Sequence, residues 1–270
     1  MKFLQAFLLK GPEEMVAHGH LTPLLGVAHK LISSKSNDVY GFELLTSIIE
    51  NIPLSHLSCY VKNIFVLLLT RLTSSKTSQF THGFLCFICT LFVIQKPGFT
   101  VDDIIGTLDS IQATPLFNGL LSGVLLPELK NIYSSEDLNL CLVGMAHLLT
   151  KSQMMLSPTY LSVWPSILES LMTLVNHPVP PASSAPDEEG EFNEMDESGY
   201  QASFTRLSTV GPAKKSVYLG VTNEPKMYLG NYKALILATS LGQLSKSPSG
   251  STLKSLIQQQ LAGIGYQSVL

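Results

Sequence analysis

Apolar residues recur at helical spacing along almost the whole chain. In YLSVWPSILESLMTLV they fall at i, i+3, i+4 and i+7 and form one stripe: Tyr160, Val163, Trp164, Ile167, Leu168, Leu171, Met172 and Val175. The same spacing occurs in YVKNIFVLLLTRL, NGLLSGVLLPELKNI, EDLNLCLVGMAHLLT and YKALILATSLGQL. Short polar connecting segments such as SSKSND and TSSKTSQ separate the predicted helices. No segment alternates like a strand. The pattern predicts an all-α protein.

A glycine followed by a bulky apolar residue repeats inside these segments. The pairs are Gly41-Phe42, Gly83-Phe84 and Gly144-Met145, which are separated by 42 and 61 residues. The second gap equals one period plus an insertion of 19 residues. A period of about 40 residues is typical of stacked helical hairpins.

Three prolines lie in a second class of predicted helix. They are Pro23 in HLTPLLGVAHKLI, Pro127 in GVLLPELKNI and Pro165 in SVWPSILESL. A proline inside a helix removes a hydrogen bond and kinks the helix, so we expect bent helices to alternate with straight ones. Together with the glycine repeat, this predicts a HEAT-repeat-type α-solenoid of stacked antiparallel hairpins. An irregular all-helical bundle is the alternative.

Composition excludes several classes of function. The 270 residues are 45% hydrophobic and only 14% charged, with 17 basic against 20 acidic residues. Such a chain can bury a core, but it lacks the basic surface that binding to a phosphate backbone requires. The apolar run GFLCFICTLFVI has 12 residues, whereas a spanning helix needs about 20. We therefore expect neither nucleic-acid binding nor membrane insertion, and we interpret MKFLQAFLLKGP as a helix rather than a signal peptide.

Motifs for catalysis or cofactor binding are missing. Cys86 and Cys89 form a Cys-x-x-Cys pair inside an apolar helix, with no second ligand pair in the sequence nearby. His18 and His20 are two residues apart, which on a helix would direct them to different faces. We expect no metal, no cofactor and no enzymatic activity, and we interpret the four cysteines as buried thiols in a reducing compartment: Cys59, Cys86, Cys89 and Cys141.

One acidic run departs from this pattern. The segment HPVPPASSAPDEEGEFNEMDESG, residues 177–199, holds seven of the 20 acidic residues and no Lys or Arg: Asp187, Glu188, Glu189, Glu191, Glu194, Asp196 and Glu197. Its proline, serine and glycine content disfavours a helix, so we expect a loop inserted within one hairpin. It is either a solvated loop or an acidic arm that attracts a basic partner. Helical sequence resumes near Tyr200, and Lys214 and Lys215 follow as a possible internal counter-charge.

Several segments of the sequence resemble a known family. The segments are LLGVAHKLISSKSNDVYGFELLTSIIENIP, IFVLLLTRLTSSKTSQF, VLLPELKNI, and PDEE followed by GYQASFTRL and NEPKMYL. They are similar to the C-terminal part of the karyopherin-beta exportins that re-export importin-alpha, the cellular apoptosis susceptibility family. The resemblance runs from about Phe3 to Leu270. Members of that family are much longer, so the chain corresponds to about their last quarter.

The resemblance implies a fold and a function. It implies one C-terminal HEAT-repeat segment over residues 1–270, with an acidic loop at 177–199 and a terminal capping hairpin at about 227–270. It further implies a transport receptor that grips importin-alpha together with the GTP-bound small GTPase Ran and shuttles between nucleus and cytoplasm. The family's main Ran contact lies in its N-terminal arch, outside this chain. The acidic run with Tyr200, Lys214 and Lys215 is the candidate site for a basic partner, because importin-alpha carries a basic N-terminal segment.

The sequence is compatible with two other functions. A helical-repeat protein of this length could be a general interaction scaffold without a link to Ran or importin-alpha. It could also be a truncated product without transport activity of its own. In either case, a solenoid that starts at Met1 is expected to expose the interface that its first helix would bury against a preceding repeat.

Overall fold

The structure is a computed structural model that describes residues 2–94, 96, 98–132 and 134–175. The acidic loop at 177–199 and the capping hairpin at about 227–270 lie outside these residues, as does the predicted helix YKALILATSLGQL. Within the described part of the chain there is no strand, and a single antiparallel bridge joins Lys96 and Phe99. The prediction of an all-α protein is confirmed.

Twelve α-helices follow one another along the described residues. Their bounds are α1 Lys2–Lys10, α2 Pro12–Ala17, α3 Leu21–Ser33, α4 Asp38–Asn51, α5 Leu54–Ser74, α6 Ser78–Val93, α7 Val101–Asp109, α8 Phe117–Leu120, α9 Leu126–Leu129, α10 Ser135–Lys151, α11 Pro158–Leu161 and α12 Trp164–Val175. A π-helical turn, Leu121–Leu125, joins α8 to α9, and a 3-10 turn, Met154–Leu156, precedes α11.

The helices pack in two layers. Helices α1, α4, α6 and α10 lie side by side in that order, and α3, α5, α7, α8 and α9 form the second layer. Two hairpins are α3 with α4 and α5 with α6. The third consists of α8 and α9 followed by α10 in chain order, and its α9 packs against α6 and α12. Each hairpin buries its apolar stripe against its neighbours, so that the core is one continuous cluster from Leu8 to Leu174. This arrangement is an α-solenoid.

The repeated glycines lie where adjacent helices approach most closely. A Cβ added at Gly41 would lie 2.8 Å from the Ile32 side chain of α3, and one at Gly83 would lie 2.6 Å from the Phe42 ring of α4. A Cβ at Gly144 would lie 2.8 Å from the Cα of Cys89 in α6. Gly83 and Gly144 therefore mark a contact that repeats between neighbouring hairpins, whereas Gly41 marks a contact within its own hairpin.

The expectation of kinked helices is wrong at two of the three prolines. Pro23 is the third residue of α3 and Pro165 is the second residue of α12. In the first turn of a helix the backbone N–H has no intrahelical partner, so a proline there costs no hydrogen bond. Pro127 is the second residue of α9, and α9 directly follows the π-helical turn Leu121–Leu125.

The apolar stripe of residues 160–175 is divided between two helices. Helix α11 ends at Leu161 and α12 begins at Trp164, so the predicted single helix is broken at Ser162 and Val163. Tyr160, Trp164, Ile167, Leu168 and Leu171 are nevertheless all buried. The periodicity thus predicted these five core side chains correctly, whereas Val163, in the turn, is only half-buried.

Helix α7 is the extra helix between the second and third hairpins, where the sequence predicts an insertion. A capping box formed by Thr100 and Asp103 starts it. Two of its carboxylates attach it to later segments of the chain. Asp102 accepts hydrogen bonds from the Ser152 hydroxyl and from the backbone N–H groups of Gln153 and Met154. Asp109 accepts hydrogen bonds from the Tyr160 hydroxyl and the backbone N–H groups of Leu116 and Phe117.

Among the described residues, none of the helices combines the length and apolar character that crossing a bilayer requires. The longest helix, α5, has 21 residues and includes Lys62 and Arg71. The apolar run that begins at Gly83 forms part of α6, and its Phe84, Phe87 and Phe92 are packed in the core. This 12-residue apolar run therefore lies in a core helix, as predicted from its being too short to span a membrane.

Candidate functional site

The residues predicted to bind a basic partner lie outside the described part of the chain. These are Asp187, Glu188, Glu189, Glu191, Glu194, Asp196, Glu197, Tyr200, Lys214 and Lys215. Their role remains a prediction. Within the described residues, two clusters of polar side chains lie at the junctions between consecutive hairpins.

The first junction joins the hairpin of α3 and α4 to that of α5 and α6 through a buried ion pair. Asp38, the first residue of α4, is fully buried, and its Oδ2 lies 3.6 Å from a terminal nitrogen of Arg71 in α5. Gln79 of α6 donates a hydrogen bond of 2.9 Å to Asp38 Oδ1. Arg71 Nε donates to the Ile32 carbonyl of α3, and its guanidinium lies over the Phe80 ring of α6 at 4.9 Å. Four helices therefore meet at one charged pair.

A lysine near this junction holds the carboxyl end of α4. The Lys96 Nζ donates to the carbonyls of Ile49 and Glu50, at 2.7 and 2.6 Å. These carbonyls belong to the last turn of α4, where a cation interacts favourably with the helix dipole. Burial lowers the pKa of Lys96. This contact ties the segment after α6 back to α4.

The second junction joins α6 to α10 and carries a cluster of potential metal ligands. His82 and Cys86 lie one turn apart on α6, and Asp137 lies in the first turn of α10. The His82 Nε2 is 3.2 Å from Asp137 Oδ2 and 3.7 Å from Cys86 Sγ. The three potential ligand atoms all lie within 4.8 Å of one another. Fully buried Cys141 lies one turn after Asp137 on α10, and its influence on the pKa of Cys86 shows that the two thiols are neighbours.

The environment of this cluster shifts the pKa values of its members. The hydrogen bond to Asp137, followed by that to Cys86, raises the pKa of His82 to about 10, although partial burial opposes the shift. The hydrogen bond with Cys141, together with burial, raises the pKa of Cys86 well above its usual value. At neutral pH the cluster therefore holds a protonated imidazole beside the Asp137 side chain and a neutral Cys86 thiol.

This cluster corrects two expectations drawn from the sequence. Cys86 does have other metal-binding side chains nearby, because the packing of α6 against α10 brings Asp137 and Cys141 to it. The signal in the sequence was the spacing of four residues in both His82-Cys86 and Asp137-Cys141, rather than Cys86-x-x-Cys89. The expectation of four buried thiols is also wrong, since Cys59 is exposed and Cys86 is half-buried, whereas Cys89 and Cys141 are buried.

His18 and His20 are placed differently from the helical arrangement expected of them. They lie in the turn between α2 and α3, on either side of Gly19, which has a positive φ of 71°. A residue other than glycine is disfavoured at that φ. The turn stacks the two exposed rings with centroids 6.0 Å apart. The two imidazoles are thus neighbours on the surface and belong to neither junction.

Helix α1 exposes apolar side chains at one end of the two layers. Phe3 is 80% exposed and Leu9 is 68% exposed, and the Phe3 and Phe7 rings lie 6.4 Å apart. Leu8, on the opposite face, is fully buried against the rest of the core. The helix therefore has two apolar faces, of which the described residues cover one.

Comparison with protein families gives a match over almost the whole chain. A family described as CAS/CSE protein, C-terminus, matches residues 1–263. This range includes both junctions as well as the acidic run.

Curated relatives agree with that match. The chain is 35% identical to Exportin-2 of Mus musculus and of Homo sapiens and 33% identical to Exportin-2 of Danio rerio, in each case over 252 residues, or 93% of the chain. These residues correspond to 24% of each relative. The chain thus spans about a quarter of the length of the curated relatives it matches.

A solved structure has a similar fold. It is described as "The exportin Cse1 in its cargo-free, cytoplasmic state", and it superimposes with a TM-score of 0.62 at 23% sequence identity. The superposition covers 94% of this chain and 25% of that one. At this identity the likeness concerns the fold, and it agrees with the two-layered solenoid.

Proposed function

The chain belongs to the family of CAS/CSE protein C-termini, and from this membership we propose that it is a segment of a nuclear export receptor. In this role it forms part of a helical arch that helps to clamp importin-alpha in a complex with GTP-bound Ran. The observation that carries the proposal is the family match over residues 1–263. The identity to proteins named Exportin-2 and the α-solenoid fold support it.

The proposed role needs a stable curved surface rather than a catalytic centre. A stacked solenoid offers such a surface, because each hairpin contacts only its neighbours and successive helices are displayed side by side. The glycine contacts of α6 and α10 hold α4, α6 and α10 close together along one layer. We therefore propose transport without enzymatic activity, with shuttling between nucleus and cytoplasm.

The proposal is tested with a chimeric receptor. This chain replaces the matching C-terminal quarter of Exportin-2 from Homo sapiens, and binding of importin-alpha is measured with and without GTP-bound Ran. We expect binding that depends on Ran, as for the parent receptor. A folded chimera that binds Ran but not importin-alpha would contradict the proposal and favour a general scaffold or a product without transport activity.

We propose a secondary role for this segment in Ran binding. The main Ran contact of the family is expected in its N-terminal arch, which this chain does not include. Titration of the isolated chain with GTP-bound Ran is therefore expected to give weak binding or none. Submicromolar affinity, equivalent to about −8 kcal/mol or better, would place the principal contact within this chain instead.

The acidic run is the proposed site for a basic segment of importin-alpha. Exposed ion pairs contribute only about 0–1 kcal/mol each, whereas complementary charge speeds association. In the chimera, Asp187, Glu188, Glu189 and Glu191 are replaced by Asn or Gln, and association is measured at two salt concentrations. We expect a slower association rate at low salt and convergence at high salt, where the Debye length falls to about 3 Å at 1 M. Equal rates at both salt concentrations would leave a solvated loop as the better interpretation.

A further inference from the structure

We propose that His82, Cys86 and Asp137 bind a zinc ion at the junction of α6 and α10, with Cys141 as the fourth ligand. The four residues are two pairs at i and i+4 on facing helices. Residues four apart on a helix lie on the same face, so each helix directs two side chains towards the other. No part of this inference depends on the transport function.

The distances fit a tetrahedral site. Zinc binds histidine nitrogen at about 2.0–2.1 Å, carboxylate oxygen at about 2.0–2.2 Å and cysteine sulfur at about 2.3 Å. Tetrahedral angles then separate nitrogen from oxygen by roughly 3.3 Å and nitrogen from sulfur by roughly 3.6 Å. The observed separations from His82 Nε2 are 3.2 Å to Asp137 Oδ2 and 3.7 Å to Cys86 Sγ. In the proposed site, a change in the Cys141 side-chain rotamer brings its sulfur to the metal as the fourth ligand.

The helix packing around the cluster keeps the two ligand pairs together. Gly144, seven residues after Asp137 on α10, lies against the backbone of Cys89 on α6. A Cβ added at Gly144 would lie 2.8 Å from the Cα of Cys89, so the two helices are in close contact there, and His147 of α10 donates a hydrogen bond of 3.0 Å to the Phe92 carbonyl of α6. The junction is therefore held at other points along its length, and the ligands do not have to assemble the helices themselves.

The donor set selects the class of metal. A thiolate and an imidazole are poor ligands for Mg²⁺ and Ca²⁺, which prefer oxygen, whereas zinc accepts sulfur, nitrogen and oxygen together. His82 and Asp137 are each about one-third exposed, so an ion can enter from solvent. Binding displaces a proton from each thiol and from the imidazolium, which leaves Asp137 with zinc as its counter-charge.

The ion would link the second hairpin to the third. Its ligands come from α6 and α10, which belong to different hairpins, so zinc would add a cross-link between two repeats. Because a ligand that binds the folded state alone shifts the folding equilibrium, zinc would stabilise this junction. The neighbouring junction around Asp38 and Arg71 has no such group among the described residues.

Cobalt substitution of the full chain tests the proposal. The protein is purified under reducing conditions, treated with a chelator, and titrated with Co²⁺ and then with Zn²⁺. We expect one Co²⁺ per chain, with thiolate-to-cobalt charge-transfer absorption and the intense visible bands of tetrahedral cobalt, all removed by one equivalent of Zn²⁺. We expect the thermal unfolding midpoint to rise with zinc.

Variants separate this site from other places on the chain. His82→Gln, Asp137→Asn and Cys86→Ser should each weaken binding at least tenfold, and Cys141→Ser should reduce the charge-transfer intensity by about half. The matched controls are Cys59→Ser, which removes an exposed thiol, and His18→Gln, which removes one ring of the stacked surface pair. Loss of binding in His18→Gln but not in Cys86→Ser, or absence of the charge-transfer band in the parent protein, would overturn the proposal.

Discussion

The two junctions between hairpins use the same helix contact but different polar groups. In both, a glycine lets one helix lie against the next, with Gly83 on Phe42 at the first and Gly144 on Cys89 at the second. In both, a carboxylate in the first turn of a helix contacts α6. Asp38 is fully buried and faces Arg71, whereas Asp137 is about one-third exposed and faces His82.

This difference in burial decides what each polar group contributes. A buried charge that loses its partner carries the full cost of leaving water, so the first junction depends on both members of its pair. An exposed pair is screened by water and contributes little by itself. The first junction is thus fixed by its charges, while the second is fixed by close backbone packing and leaves its side chains available for a ligand.

Removing Arg71 should have the largest effect. In Arg71→Met, Asp38 would remain buried without its partner, and we expect the free energy of unfolding to fall by about 3–5 kcal/mol. Chemical denaturation measures the change. The double variant Asp38→Asn with Arg71→Met should recover part of the loss, because the unpaired charge is gone. If the single variant lost less than about 1 kcal/mol, the buried pair would not be what holds this junction.

Adding a methyl group at Gly144 should have the next largest effect. The new Cβ would lie 2.8 Å from the Cα of Cys89, so the α6 backbone would have to move. Overpacking of this kind costs about 1–3 kcal/mol. Gly26→Ala is the matched control, since nothing lies within 4 Å of its added Cβ. There we expect a gain of up to about 1 kcal/mol from helix propensity. Equal effects at the two positions would contradict the close contact.

Asp137→Asn should be nearly neutral in the presence of a chelator. The pair with His82 is partly exposed, and such pairs contribute about 0–1 kcal/mol. The comparison with Arg71→Met in the same denaturation assay sharpens the contrast between the junctions. A loss as large as that of Arg71→Met would mean that the second junction also depends on its charges.

The smallest expected effect is on the pH dependence of stability. Burial lowers the pKa of His147, which hydrogen-bonds the Phe92 carbonyl across the second junction. In the unfolded chain this group titrates near 6.5. Between the lowered folded pKa and 6.5 the unfolded state binds more protons, so stability is fully present above pH 6.5 and is lost as pH falls below it.

His147→Gln tests this dependence. The variant lacks the titrating group, so its stability should fall less between pH 7.5 and pH 5.5 than that of the parent protein. Denaturation midpoints over this range provide the measurement, and every other titrating group is common to both proteins. Parallel pH profiles would show that His147 does not contribute to the pH dependence.

Much of the fold could be predicted from local pattern. The helical spacing of apolar residues follows from the 3.6-residue period and needs no knowledge of the neighbours. It identified Tyr160, Trp164 and Ile167 as core residues even though a turn divides their helix. The repeat of glycines likewise predicted stacked hairpins. The segments that resemble the exportin family indicated that the chain corresponds to its C-terminal part.

The prolines and the metal ligands show where local pattern was insufficient. Whether Pro23 kinks a helix or begins one depends on where the preceding turn ends, and that is decided by packing of the whole hairpin. Cys86 and Asp137 are 51 residues apart in sequence, and only the contact of α6 with α10 brings them together.

The sequence by itself determined that this chain is helical, repetitive and related to the exportins, because these properties follow directly from the spacing and identity of its residues. The tertiary structure decided which glycine contacts which side chain, that Arg71 is buried against Asp38, and that three potential zinc ligands, His82, Cys86 and Asp137, lie close together. These contacts depend on the rotation and offset of one helix against the next. The physical reason is that periodicity specifies the apolar face of a helix but not the partner on which that face packs.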